Sequence, residues 1–203
     1  MQLLIATTNQ HKLGEYRAIF ADLPYTVVSL RDVGITDDVE ETGTTFAANA
    51  ILKAEAYCKL SGLPTLADDS GLEIAALDGR PGVYSARYGG PGVTPAQQHA
   101  LVLGELAAKP DADRTARFVC VIALARPGAA VELVEGELVG TIADAPQGTH
   151  GFGYDPLFWL PERGCTVAAL SDSEKNAISH RGRAAQRAHA VLQHWIAQTA
   201  DEK

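Results

Sequence analysis

Arg117-Phe118-Val119-Cys120-Val121-Ile122-Ala123-Leu124-Ala125-Arg126 and Val131-Glu132-Leu133-Val134-Glu135-Gly136-Glu137-Leu138-Val139-Gly140-Thr141-Ile142 are the longest strand-like runs in the chain, and Pro127-Gly128 stands between them. Two β-rich runs joined by a turn dipeptide predict an antiparallel hairpin. Upstream, Thr94 followed by Pro95 is a good N-cap with proline at the first helical position, so a helix is expected through Ala108. Leu3 to Ala6 and Tyr25 to Leu30 read as strands. Leu13, Tyr16, Ile19, Phe20 and Leu23 recur at helical spacing up to Pro24. Phe46, Ala47, Ala50, Ile51, Ala54, Tyr57 and Cys58 mark a second amphipathic helix. Pro64 to Asp68 and Leu72 to Leu77 are short apolar runs, and Gly79 to Gly92 reads as a long loop. Downstream of the hairpin come a glycine-rich loop from Ala143 to Asp155 and a capping box at Ser171 to Glu174. A helix from about Gly182 to Gln198 follows. Alternating strands and helices indicate one α/β domain over residues 1–203, and the hairpin makes its sheet mixed rather than purely parallel.

At 203 residues, with 46% apolar and 21% charged residues, the composition is that of an ordinary globular protein. A formal net charge of −8 argues against a nucleic-acid polymer or an anionic membrane as partner, because both need a basic surface. It leaves room for one small polyanion held by a few local cations. Cys58, Cys120 and Cys165 are odd in number and far apart, with no metal-ligand spacing. A reducing, cytoplasmic setting is expected. Leu3 to Ala6 is too short for a signal-peptide core, and no stretch approaches membrane-spanning length.

Several segments carry polar groups that a fold does not need. Leu66-Ala67-Asp68-Asp69-Ser70-Gly71 ends an apolar run on two adjacent carboxylates. Such a pair is easier to hold if a cation sits between the acids or one keeps its proton, an arrangement used in divalent-metal and general-base chemistry. By itself the segment also fits an Asx turn closing a strand. Thr7-Thr8-Asn9-Gln10-His11-Lys12 is a strand-turn-helix junction. Its free backbone N–H groups and the Lys12 charge suit an anion, although a Walker loop is excluded by the spacing. Glu40-Glu41-Thr42-Gly43 precedes the second helix, on which Asn49 and Lys53 lie one turn apart. Gly151-Phe152-Gly153-Tyr154-Asp155-Pro156 holds an aromatic ring on a flexible loop, suited to stacking on a flat base. Glu174-Lys175-Asn176 and Ser179-His180-Arg181 cluster donors ahead of a helix. Each segment has a plain structural explanation as a cap, turn or solvated face. Together they supply acids for metal, cations for phosphates, and an aromatic with planar donors for a base. A nucleoside triphosphate with magnesium fits that set.

These blocks, together with Pro81-Gly82-Val83-Tyr84-Ser85-Ala86-Arg87-Tyr88, strongly resemble the dITP/XTP pyrophosphatase family, also called the inosine triphosphatase or RdgB-like family. The resemblance runs in order from residue 3 to about residue 190. It implies a long, twisted mixed sheet flanked by helices, with two lobes and a central cleft. It also implies a magnesium-dependent homodimer that hydrolyses ITP, dITP and XTP to the monophosphate and pyrophosphate. By resemblance, Asp69 is general base and metal ligand, Glu40 the second metal ligand, and Asp68 an auxiliary acid. Thr7, Thr8, Asn9, Gln10, His11, Lys12 and Lys53 fall on the phosphate side, and Ser70 and Lys175 contact substrate. Phe152, Gly153, Tyr154, Asp155, His180 and Arg181 enclose the base. One departure is Thr8, where the family often carries glycine; a left-handed backbone there would be strained.

Three rivals differ in stated residues. A Maf-like pyrophosphatase lacks the Gly-Phe-Gly-Tyr-Asp and Ser-His-Arg blocks. A haloacid-dehalogenase-type phosphatase needs a nucleophilic Asp after the first strand, where Thr7 and Thr8 stand. A non-catalytic nucleotide sensor has no use for Asp69, Glu40 and Lys53 together.

Overall fold

The computed structural model describes residues 1–201, and both runs of the expected hairpin are strands in it. In chain order the elements are β1 (Gln2–Ile5), α1 (Gln10–Ile19), β2 (Thr26–Ser29), α2 (Phe46–Ser61), β3 (Thr65–Ile74), α3 (Pro95–Ala107), β4 (Thr115–Ala125), β5 (Glu132–Ile142), β6 (Phe158–Leu160), β7 (Cys165–Thr166), α4 (Asp172–Ile178) and α5 (His180–Asp201). The strands form one sheet in the order β2-β1-β3-β4-β5-β6-β7. β1 runs parallel to β2 and β3, while β6 is antiparallel to β5 and β7. The short link between β4 and β5 permits only antiparallel pairing. The sheet is therefore mixed, as expected.

The caps are those the sequence encodes. Asn9 accepts from the His11 and Lys12 N–H groups at the start of α1, and Thr45 caps α2. Thr94 with Gln97 and Ser171 with Glu174 each form a complete capping box, on α3 and α4 respectively. Each such cap contributes about 1 kcal/mol. Thr8 does not adopt the left-handed backbone that would strain it: Asp78 is the non-glycine residue with positive φ among the described residues.

By packing the chain divides into two units, and the boundary falls inside β3, after Asp69. The first unit contains Met1–Asp69, Cys120–Gly136 and the chain from Arg181 onward. Its core sets Leu3, Ile5, Leu66, Ile122 and Leu124 of the strands against Leu13 and Tyr16 of α1 and Phe20 at the C-cap of that helix. Ala184, Ala188, Leu192 and Trp195 of α5 complete it at helical spacing. The second unit contains Ser70–Val119 and Glu137–His180. Its core joins Leu72, Ile74, Phe118, Leu138 and Phe158 to Val102 and Leu106 of α3. Phe118 and Phe158 stack at 4.4 Å, worth about 0.5–1.5 kcal/mol beyond burial.

Two local expectations change. Asp68-Asp69-Ser70-Gly71 is not a turn between two apolar runs but the middle of the ten-residue strand β3. In the Gly79 to Gly92 loop, a 3-10 turn spans Gly82–Arg87 and is pinned by Gln98 of α3. The Gln98 amide donates to the carbonyls of Ser85, Ala86 and Tyr88.

Candidate active site

Successive side chains on a strand point to opposite faces of its sheet, and this decides how β3 carries two adjacent acids. Asp68 faces α1 and α5: its Oδ2 receives Lys12 Nζ at 2.8 Å and lies 3.6 Å from Arg181 Nε. Asp69 faces α2, where Asn49 Nδ2 donates to its Oδ2 at 2.9 Å. The acids therefore do not share one partner shell, and a buried strand can hold both.

The two carboxylates are in different electrostatic states. Burial would raise the proton affinity of Asp68, but the charges of Lys12, Arg181 and Lys53 outweigh it and hold the carboxyl well below the usual range. At Asp69 burial wins. It raises the pKa against the opposing pull of Lys53 and the Asn49 hydrogen bond, and the negative charge of Glu41 raises it further. Asp68 is thus a fixed anion, whereas Asp69 has a raised proton affinity suited to a general base.

Cations complete the first unit's cluster. Lys53 Nζ donates to the Asp68 carbonyl at 2.7 Å and pairs with Glu41. Burial works against its charge, but Asp68, Glu41 and Asp69 prevail and raise its pKa. Arg181 is 2% exposed and pairs through Nη1 with Glu15 Oε2 at 2.8 Å. Burial opposes its charge too, and Asp68 and Glu15 more than offset that. Beneath lie Tyr16 and Cys120. Their hydroxyl and thiol sit 3.9 Å apart, and burial pushes the thiol up to about 12. At the head of α1, the Asn9 side-chain oxygen is spent on capping while Thr8, Gln10 and His11 are exposed. Thr7 Oγ1 accepts from the Asn9 N–H at 3.1 Å and steadies the turn.

The second unit holds the aromatic segment. Asp155 is 3% exposed, and its Oδ2 accepts from the Phe152 N–H at 2.8 Å and from Lys175 Nζ at 2.7 Å. The Lys175 ammonium also lies 4.4 Å from the Phe152 ring centroid. Gly151 has φ +73°, and a Cβ there would collide with the Asp155 carboxylate, so glycine is required on both counts. Gly153 offers its carbonyl to His99 Nε2 at 2.8 Å; that nitrogen must therefore carry the proton. Tyr154 is buried and its hydroxyl donates to the Ser85 carbonyl, with burial raising its pKa. His180, at the start of α5, stacks on Phe118 at 4.7 Å. Ser70 follows the acids on β3 and is half-buried.

The structure thus gathers Lys12, Lys53, Asp68, Asp69 and Arg181 in one charged cluster, and Phe152, Gly153, Tyr154, Asp155 and Lys175 in one loop assembly. Some placements differ from those the sequence suggests. Asp155 and Tyr154 are spent on holding the loop, so the side chain at the loop's half-buried surface is Phe152. The Arg181 guanidinium is directed at acids. Of Glu40 and Glu41, Glu41 is the one paired with Lys53 and felt by Asp69, while Glu40 is exposed. Sequence reasoning passed over Glu15, Gln98 and His99. Glu15 stands three residues after Lys12, a helical spacing that could have flagged it; the α3 pair carries no such pattern.

Magnesium is held through one or two carboxylates plus substrate phosphates and waters, not through an all-protein cage. Asp69 with an acid of the Glu40-Glu41 pair meets that requirement, and the mutual repulsion of Asp69 and Glu41 is what a dication would offset. Among the described residues no cluster of three or more His, Cys, Asp or Glu side chains offers such a cage.

A family model described as the Ham1 family matches residues 3–191. A dITP/XTP pyrophosphatase of Geobacter sulfurreducens is 51% identical over 183 residues, covering 90% of this chain and 92% of that protein. The Bacillus subtilis dITP/XTP pyrophosphatase is 45% identical, covering 95% of this chain and 97% of that one. The solved structure of a HAM1 protein from Coxiella burnetii superimposes with a TM-score of 0.89 at 44% identity, covering 96% of this chain and 99% of its own. The matched span holds the whole charged cluster and the aromatic loop, and the chain belongs to the Ham1 family.

Proposed function

We propose that this protein is a nucleoside-triphosphate pyrophosphatase that hydrolyses ITP, dITP and XTP to the monophosphate and pyrophosphate, removing deaminated purines from the nucleotide pool. The observation that carries the reading is the pair of buried acids on β3, Asp68 held as a fixed anion and Asp69 with a raised proton affinity, ringed by Lys12, Lys53 and Asn49. The dITP/XTP pyrophosphatases of Geobacter sulfurreducens and Bacillus subtilis support the substrate class.

In the reaction, Asp69 takes a proton from water as the oxygen attacks the α-phosphorus. The bond from that phosphorus to the bridging oxygen breaks, and pyrophosphate leaves with the electron pair. Such chemistry is governed by positioning and charge neutralisation. Lys12, Lys53 and the N–H groups at the head of α1, over Thr7 to Lys12, would neutralise phosphate charge; Ser70 and Lys175 would contact substrate. Magnesium, held by Asp69 and an acid of the Glu40-Glu41 pair, would supply charge stabilisation on the phosphates. Phe152 would stack on the base, with the backbone of Gly153, Tyr154 and Asp155 beside it. His180 and Arg181 would offer donors to a 6-oxo group, which adenine replaces with an amino donor. We also propose a homodimer in the cytoplasm. Tyr84, 55% exposed, suits an interface, whereas the Tyr88 hydroxyl is already bound between Glu105 and Arg80.

Pyrophosphate release from ITP with magnesium tests the reading. Rapid turnover of ITP and XTP with slow turnover of ATP is expected. ITP that binds without turnover would indicate a sensor, and preference for another modified nucleotide would indicate a Maf-like enzyme.

A further inference from the structure

Asn49 is fully buried in the first turn of α2, an expensive place for an amide unless each polar atom is satisfied. Its Oδ1 accepts from the Gly43 N–H at 2.8 Å, and its Nδ2 donates to Asp69 Oδ2 at 2.9 Å. The orientation of the amide is not arbitrary. A backbone N–H can only donate, so the atom facing Gly43 must be the oxygen, and the nitrogen must face Asp69. Gly43 ends the acidic segment that carries Glu40 and Glu41. A Cβ on Gly43 would stand 2.6 Å from Asn49 Oδ1 and 2.8 Å from the Ala48 Cβ, so the loop comes this close only as glycine. The φ of Gly43 is not positive, so an alanine there would be opposed by these contacts and not by backbone strain.

We propose that Asn49 is a positioning residue: locked by the Gly43 N–H, it sets the rotation of the Asp69 carboxylate and ties the acidic loop to it. This rests on the reading of Asp69 as the general base. The relay fixes which carboxylate oxygen faces α2 and hence where the other points. Lys53, one turn further along α2, presses on the same strand through the Asp68 carbonyl. One helix face therefore positions both β3 acids, one through its side chain and one through its backbone.

The test uses Asn49→Ala, Gly43→Ala and the double variant, each measured for kcat and KM on its folded fraction. Asn49→Ala should lower kcat about 10- to 100-fold, the usual cost of removing a partner that orients a site group, with KM for ITP nearly unchanged. Gly43→Ala should act in the same direction, and the double variant should be no worse than the more damaging single change, because both break one relay. Wild-type kcat in Asn49→Ala, alongside an inactive Asp69→Asn, would overturn the proposal while leaving the function intact. Full additivity of Gly43→Ala and Asn49→Ala would overturn it too. A readout without turnover is the Asn49 side-chain amide in nuclear magnetic resonance. It should be protected from exchange in the wild type and lose protection in Gly43→Ala and Asp69→Ala. Failure of the wild type to hydrolyse ITP would defeat the functional reading alone, and the amide protection would still decide the relay.

Discussion

The two units solve opposite problems. In the first, Asp68, Lys12, Arg181 and Glu15 are charges taken out of water, each tolerated only because the others are present. In the second, a soft loop is made rigid by backbone hydrogen bonds and one buried pair: His99 to Gly153, Tyr154 to Ser85, and Asp155 to Phe152 and Lys175. Under the proposed function the charged cluster would set rate, because phosphoryl transfer depends on where charge lies. The pinned aromatic loop would set affinity and selectivity, because a flat base is recognised by stacking and fixed donors. Changes in the first unit should therefore appear in kcat and stability, and changes in the second in KM and base preference.

The largest expected effect is at Asp69. Asp69→Asn should fold and lose about 10²- to 10⁴-fold in kcat through the missing base, with any lost metal contact adding to that. Measured kcat near wild type, with magnesium dependence intact, would break the division between the units. Glu40→Gln and Glu41→Gln, titrated with magnesium, sharpen it: the variant that needs more magnesium for half-activity identifies the second ligand.

Arg181 is next, because it belongs to the charged cluster by contact and to the base by family resemblance. Arg181→Ala leaves the buried Asp68 and the half-buried Glu15 short of a partner and should cost about 3–5 kcal/mol in chemical denaturation. Arg181→Lys keeps the charge but not the planar fork. It should fold almost normally with a smaller preference for ITP over ATP, and an unchanged ratio would restrict Arg181 to the charged cluster.

Phe152→Ala should raise KM for ITP by a factor equivalent to about 1–3 kcal/mol, the range for base-aromatic stacking, with less effect on kcat. A fall in kcat alone would place Phe152 with the chemistry. The smallest effect expected is at Tyr88→Phe. It removes a hydroxyl shared by Glu105 and Arg80 at a half-buried surface, and about 0.5–1.5 kcal/mol of stability should be lost with kinetics unchanged.

The sequence made the scaffold legible wherever a strong local pattern exists. Thr94-Pro95 and Ser171 to Glu174 announce helix starts, Pro127-Gly128 announces the hairpin, and the block order singles out Asp69, Lys12 and Lys53, which the fold brings into one charged cluster. It failed where tertiary contacts override local chemistry. Asp-Asp-Ser-Gly is turn-like alone, yet Lys12, Arg181 and Asn49 let it continue as strand β3. β6 and β7, three and two residues long, are too short for any periodicity. The inward turn of Tyr154 and Asp155, and the choice of Glu41 over Glu40 at Lys53, depend on partners far along the chain.

The most direct test is hydrolysis of ITP in water enriched in heavy oxygen, with the products resolved by mass spectrometry. Label in the nucleoside monophosphate and none in pyrophosphate is the expected result, since water attacks the α-phosphorus. Labelled orthophosphate as the first product would mean removal of the γ-phosphate and would contradict the function assigned to this site.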